Sequence, residues 1–145
     1  MKNKWIIVIS IVLVLFVVVG VYFWGKPVSP VAGVQPENVE TIEIFDGNTG
    51  RDATITKEED MEYIIDNLSS VTMKRIGISL FRSGYQYRVT IEMKNGGSKQ
   101  FIINSKVDVR KDPFFYQVYE GEIDCDYIEE ILREQNKAET ENGNE

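Results

Sequence analysis

The side chains able to do chemistry in this chain are few in type and uneven in distribution. Among its 145 residues there is no histidine and one cysteine, Cys125. The usual general base near neutral pH, the commonest metal ligand, an internal disulfide and a thiolate cluster are therefore excluded. Cys125 stands among Glu122, Asp124 and Asp126, whose charges raise a thiol pKa, the reverse of what a nucleophile requires. A buried small apolar side chain is the reading, with an intermolecular disulfide as the other use of an odd cysteine. Glu120, Glu122, Asp124 and Asp126 alternate, so in an extended segment they share a face and offer oxygens to a hard cation, although a lead-in to a helix N-terminus accounts for them as well. The stretch 46–52 (DGNTGRD) begins like a calcium loop. It departs from one at the sixth place, Arg51, and at the twelfth, Lys57, and reads as a hairpin turn. Gly-x-Ser-x-Gly, Ser-x-x-Lys, a glycine-rich phosphate loop and Cys-x-x-Cys are all missing, and so is any catalytic, cofactor-binding or metal-ligating set that these motifs would define.

Charge says more. The formal net charge is −7, and most of the charge falls in a −8 segment over 37–66, a +7 segment over 67–111 and a −8 segment over 118–145. The central basic stretch supplies Arg82, Arg88 and Lys94 as a candidate partner-binding face, with Lys74 and Lys99 beside them. Such a face would dock an anionic polymer, an acidic protein or lipid headgroups; ordinary solubility is the bland alternative. Residues 113–119 (PFFYQVY) hold four aromatics in seven positions. Alternation assigns half of them to a core and leaves Phe115 and Tyr119 as candidate surface anchors.

These residues have to be positioned by short alternating segments. Ile42 and Ile44 mark one strand and Ala53 and Ile55 a second, joined by the turn at 46–50. Met61, Ile64, Ile65 and Leu68 recur at i, i+3, i+4 and i+7, marking one face of a helix over 57–68, with Thr56 and Glu59 at capping-box spacing. The clearest strand is 85–94, where Tyr85, Tyr87, Val89, Ile91 and Met93 alternate with polar residues. Segments 71–81, 99–104 and 105–110 read as further strands, and Asp126, Glu129 and the stripe Tyr127, Ile128, Ile131, Leu132 as a C-terminal helix. The fold class is α+β: one two-layer domain over 39–137, with a mainly antiparallel sheet of about five strands and two covering helices, in the order ββαββββα.

Ahead of that domain, Trp5 to Trp24 is a run of twenty residues interrupted only by Ser10 and Gly20. At ~1.5 Å per residue it spans about 30 Å, enough to cross a bilayer, with aromatic residues at both ends. Lys2 and Lys4 precede it and Lys26 follows. The positive-inside rule then leaves residues 1–4 as a cytoplasmic stub, 5–25 as a single transmembrane helix in the plasma membrane, and the C-terminal domain outside the cell. A cleaved signal peptide ending near 31–33 is the competing reading, against which stands the length of the apolar run. Residues 26–38, with three of the four prolines, read as an extended tether, so removal of residues 1–36 is expected to leave the domain intact. Residues 138–145 read as a disordered tail.

The segments ETIEIFDGNTG and ITKEEDMEYIIDNL, then YRVTIEMKNGG, FIINS, DPFFY and YIEEIL, give the chain a pattern that resembles a broad group of small membrane-tethered extracytoplasmic α+β domains of unknown function in Gram-positive bacteria. The resemblance covers about 39–132 and implies fold and location, with no activity, cofactor or partner to carry over.

The function expected from the sequence is that of a membrane-anchored extracytoplasmic module, not an enzyme, that needs no cofactor and binds a protein or an anionic envelope component. An inhibitor or immunity-type protein acting on a basic secreted enzyme is the alternative, and a small envelope hydrolase with two opposed carboxylates a more distant one. Nucleic acid is not expected as a partner of an acidic domain outside the cytoplasm.

Overall fold

The structure, a computed structural model, describes residues 2–80 and 84–142, with the side chains of 4–80 and 84–138. The long apolar run forms α1 (Lys2–Gly25), whose side chains from Trp5 to Trp24 are exposed along its whole length. A helix that is apolar all round and meets the rest of the chain only at its C-terminal end needs an apolar surrounding. Among the described residues it is the one helix long and apolar enough to cross a membrane.

The rest of the chain is built around one sheet. Its strands are β1 (Val39–Asp46), β2 (Asp52–Ile55), β3 (Thr72–Ile78), β4 (Tyr87–Met93), β5 (Ser98–Ser105), β6 (Asp108–Lys111) and β7 (Phe114–Glu120). They lie in the order β2-β1-β4-β5-β6-β7-β3, every neighbouring pair antiparallel. Seven strands replace the expected five or so; the strand that the sequence pattern hid is β7, in the aromatic run. Helices α2 (Glu58–Ser70) and α3 (Cys125–Asn142) put their apolar stripes on one face of the sheet. With α1 the described residues hold three α-helices.

The local reasons are short-range. Ile42, Ile44, Ala53 and Ile55 are all buried, because the first hairpin turns its alternating apolar side toward the helices. Met61, Ile64, Ile65 and Leu68 are buried along one stripe of α2, and Glu58, Glu59 and Asp60 fill its first turn, where the helix dipole favours negative charge. The capping box expected from Thr56 and Glu59 does not form: Lys57 is the N-cap and its side chain makes no capping bond. At α3 the cap is Asp124 rather than Asp126, since the Asp124 carboxylate accepts the Tyr127 amide at 3.0 Å. The C-terminal segment expected to be without structure from residue 138 continues α3 as far as Asn142.

The largest departure concerns residues 26–38. Far from spanning open space, this segment straps the domain. Val28 pairs with Met73 at the free edge of β3, with reciprocal bonds of 3.0 and 2.9 Å. Ser29 Oγ donates to the Leu68 carbonyl at the end of α2 at 2.9 Å. Val31 and Val34 are 1% and 8% exposed and belong to the core. Lys94 then donates from its backbone to the Asn38 carbonyl and from Nζ to the Glu37 carbonyl. The folded unit thus begins near Val28, about ten residues before the boundary the sequence pattern suggests.

Candidate functional site

With both helices on one face, the other face of the sheet is left uncovered, and strand register defines what it presents. Side chains of directly paired residues share a face. One row runs Asp52, Phe45, Arg88, Ile102, Arg110, Phe115, Gly77 across all seven strands. Its middle alternates arginine with large apolar groups. The Arg88 guanidinium stands 5.5 Å from the Phe45 ring centre and 4.8 Å from that of Tyr85, and donates to the Tyr85 hydroxyl. Held against two rings that also meet each other at 6.2 Å, it keeps its charge in a fixed place, as cation–π contacts do for the weakly hydrated guanidinium. Next to it an open groove of about 570 Å³ is lined by Glu43, Phe45, Thr54, Arg88, Thr90 and Gln100. Arg110 has a side chain 10% exposed, with Nε 3.6 Å from Asp112 Oδ1.

Of the five residues singled out from sequence, Arg88 and Phe115 lie in this row. Tyr119 is on the same face farther along β7, half exposed, with Lys74 Nζ 4.3 Å from its ring centre. Lys94 sits at the end of β4 and is occupied in holding the strap. Arg82 lies outside the described residues. Lys99, expected beside them, is on the opposite face: it pairs with the core residue Ile91 and its ammonium reaches the Ala32 carbonyl. Burial, with Lys111 nearby, pushes its pKa down.

Of the acidic candidates, Asp46, Glu122, Asp124 and Asp126 are taken up by internal bonds, while Glu120 is exposed at the end of β7. Asp46 accepts the Asn48 amide at 2.8 Å on one oxygen and the Thr49 hydroxyl at 2.6 Å on the other, which is turn chemistry. Asp124 accepts the Tyr63 hydroxyl at 2.7 Å as well as the Tyr127 amide, and these two bonds hold its carboxyl below the usual range. Glu122 and Asp126 meet Lys106 at 3.5 and 2.7 Å. Among the described residues no group of three or more His, Cys, Asp or Glu is placed to hold a metal ion. Cys125 is buried, and that burial pushes its thiol up to about 11, with Lys106 opposing and the neighbouring acids adding to the shift.

One constellation escaped sequence reasoning, the junction between α1 and the sheet. The last carbonyls of a helix have no partner inside it. Here Arg75 of β3 donates from Nη1 to the Phe23 carbonyl at 2.8 Å and from Nε to the Tyr116 hydroxyl at 3.2 Å. Its guanidinium is 4.7 Å from the Phe114 ring centre, and Trp24 meets the same ring edge-on at 5.6 Å. A cation at a helix C-terminus is favoured by the dipole. No local signal marks Arg75, because its partners are 52 and 41 positions away.

No family model matches this chain, and no curated protein and no solved structure matches it. The class defined by the fold itself is an α+β domain with a seven-stranded antiparallel sheet, joined directly to an N-terminal helix apolar enough to anchor in a membrane.

Proposed function

We propose that this is a single-pass plasma-membrane protein whose C-terminal domain lies outside the cell and acts as a non-catalytic binding module for a protein or an anionic envelope component. The observation that carries the binding part is the uncovered sheet face, where Arg88, held against Phe45 and Tyr85, borders the 570 Å³ groove in a row that runs on through Phe115. A half-buried guanidinium among aromatic rings is the composition of interface hot spots. Retention of α1, as opposed to its removal as a signal peptide, is supported by the strap: cleavage near 31–33 would take away the Val28 pairing and expose the site that Val31 fills. The inward position of the N-terminus rests on Lys2 and Lys4.

The test is crosslinking in intact cells expressing the full chain, with recovery of attached partners compared between the native chain and the double variant Arg88→Glu, Phe115→Ser. Recovery of the partner should fall about tenfold or more for the variant, in line with the loss of one or two interface anchors. Equal recovery, with both chains folded by circular dichroism, would overturn the sheet-face reading.

A further inference from the structure

Large aliphatic side chains scattered singly over a surface mean little, but three in five residues at one free edge are a contiguous patch. Ile76, Ile78 and Leu80 are each 57–58% exposed, at the end of the edge strand β3. The segment is not loose. Ser79, between two of them, is 2% exposed, donates from Oγ to Asp112 at 2.6 Å and from its amide to the Pro113 carbonyl at 2.9 Å. With Ser79 fixed against Asp112 and Pro113, its neighbours Ile78 and Leu80 are held on the other side of the strand, the side of Phe114, and are exposed there. The edge is also tied to the end of α1. Ile78 pairs with Phe114, whose ring meets Trp24, and Arg75 holds the Phe23 carbonyl.

We infer that this edge, Ile76 to Leu80, rests in the interfacial layer of the bilayer beside the exit point of α1, so that the domain lies on the membrane in one orientation. The occupant is the lipid surface itself, and the inference rests on the reading of α1 as a membrane anchor. Three observations favour lipid over a protein partner. The patch continues the apolar surface of α1 through Trp24 and Phe114. Its position one strand from the helix end puts it at headgroup depth whenever α1 spans the bilayer. Lys26 directly follows α1 and Lys74 stands two residues before Ile76 in β3, and long cationic side chains near an apolar insertion reach phosphate while their stems stay in the apolar layer. A bilayer also explains an open strand edge carrying aliphatics, which in water is an aggregation hazard.

The full chain is placed in vesicles of phosphatidylcholine and phosphatidylglycerol containing a phosphatidylcholine with a photoactivatable diazirine near the carbonyl end of one acyl chain. After irradiation, tryptic peptides are quantified. The peptide 76–82 should carry about tenfold more lipid adduct than peptide 100–106 from the uncovered face, alongside strong labelling of the peptide that contains α1. Labelled α1 with peptide 76–82 no higher than 100–106 overturns the inference and leaves the anchor standing; unlabelled α1 overturns both. An unlabelled 76–82 that instead crosslinks to 76–82 of a second copy overturns the lipid contact in favour of strand pairing. In the variant Ile76→Ser, Ile78→Ser, Leu80→Ser, adducts on this peptide should drop to the 100–106 level with α1 labelling unchanged. Undiminished adducts would mean that the aliphatic side chains do not insert, which also overturns it.

Discussion

Gly47 shows how tightly single residues are constrained. It sits in the turn after β1, and its amide donates to the Gln86 carbonyl at 2.8 Å. A methyl group added there would come within 2.6 Å of the Tyr85 carbonyl oxygen, a backbone atom unable to swing aside. Gly47→Ala should therefore destabilise the protein by roughly 1–3 kcal/mol, read as a lowered urea midpoint in lipid nanodiscs, whereas an unchanged midpoint would show that the loop can yield. The same turn would also lose the approach of Tyr85 to Arg88. At Cys125 the folded thiol holds its proton up to about 11 against an ordinary 9.0. The folded state binds that proton more tightly, so its contribution is complete below pH 9 and is lost as the pH rises from 9 through 11, on the order of 2 kcal/mol. Tyr127, pushed up to about 12 chiefly by burial and by its bond to Asp60, acts in the same direction at higher pH, and Lys99 in the opposite one. Comparison of melting temperature against pH for the native chain and Cys125→Ala isolates the thiol: the variant should fall less between pH 9 and 11, keeping only the share due to Tyr127 and the other groups, and parallel curves would contradict it. At this scale the sequence was legible where neighbours in the chain decide the outcome, as in the inert thiol and the turn at 46–50. It was misleading where two acids lie two positions apart: spacing favours Asp126 as the cap, yet the helix starts at Cys125 and leaves Asp124 in the capping place.

Among elements, the strap before β1 has the largest consequence. Val28, Val31 and Val34 contribute an edge pairing and two core side chains from a segment with no helical or strand period. A chain that begins at Lys26 should fold cooperatively in solution, while one that begins at Glu37 should be less stable by about 3–6 kcal/mol, the worth of the two buried valines Val31 and Val34. Equal urea midpoints for the two would show that the strap is dispensable. Alternation made β4 plain, because Tyr87, Val89 and Ile91 face the helices and polar groups occupy the places between. In β7 the same rule was masked: Phe114, Tyr116 and Val118 face inward, but of the outward residues Phe115, Gln117 and Tyr119 only one is not aromatic. The strap was illegible for a related reason, since proline and glycine content signals a linker whether or not its few valines find a core. The helices are also joined to each other. Tyr63 of α2 donates to Asp124 and Tyr127 of α3 donates to Asp60, with their rings 4.2 Å apart between centres. That exchange fixes the N-terminal ends of α2 and α3 and explains acids that the sequence could assign equally well to a cation.

Across the whole molecule, the charge division of the chain becomes a spatial one: the acidic segments form the helical layer and the first hairpin, and the basic one supplies strands β3 to β6. Ion pairs such as Lys106 with Asp126 are exposed and add little to stability, so this division matters for orientation and association more than for folding. The junction at Arg75 and Trp24 joins helix and domain, on a sheet whose other face no helix covers. All of this depends on α1 being retained in the membrane with the domain outside. The most direct measurement adds protease to intact spheroplasts that carry the full chain with an epitope tag at its C-terminus. Loss of the tag without lysis, with a fragment containing α1 kept in the membrane, is the expected result; a tag protected until lysis, or a released chain lacking α1, would contradict it.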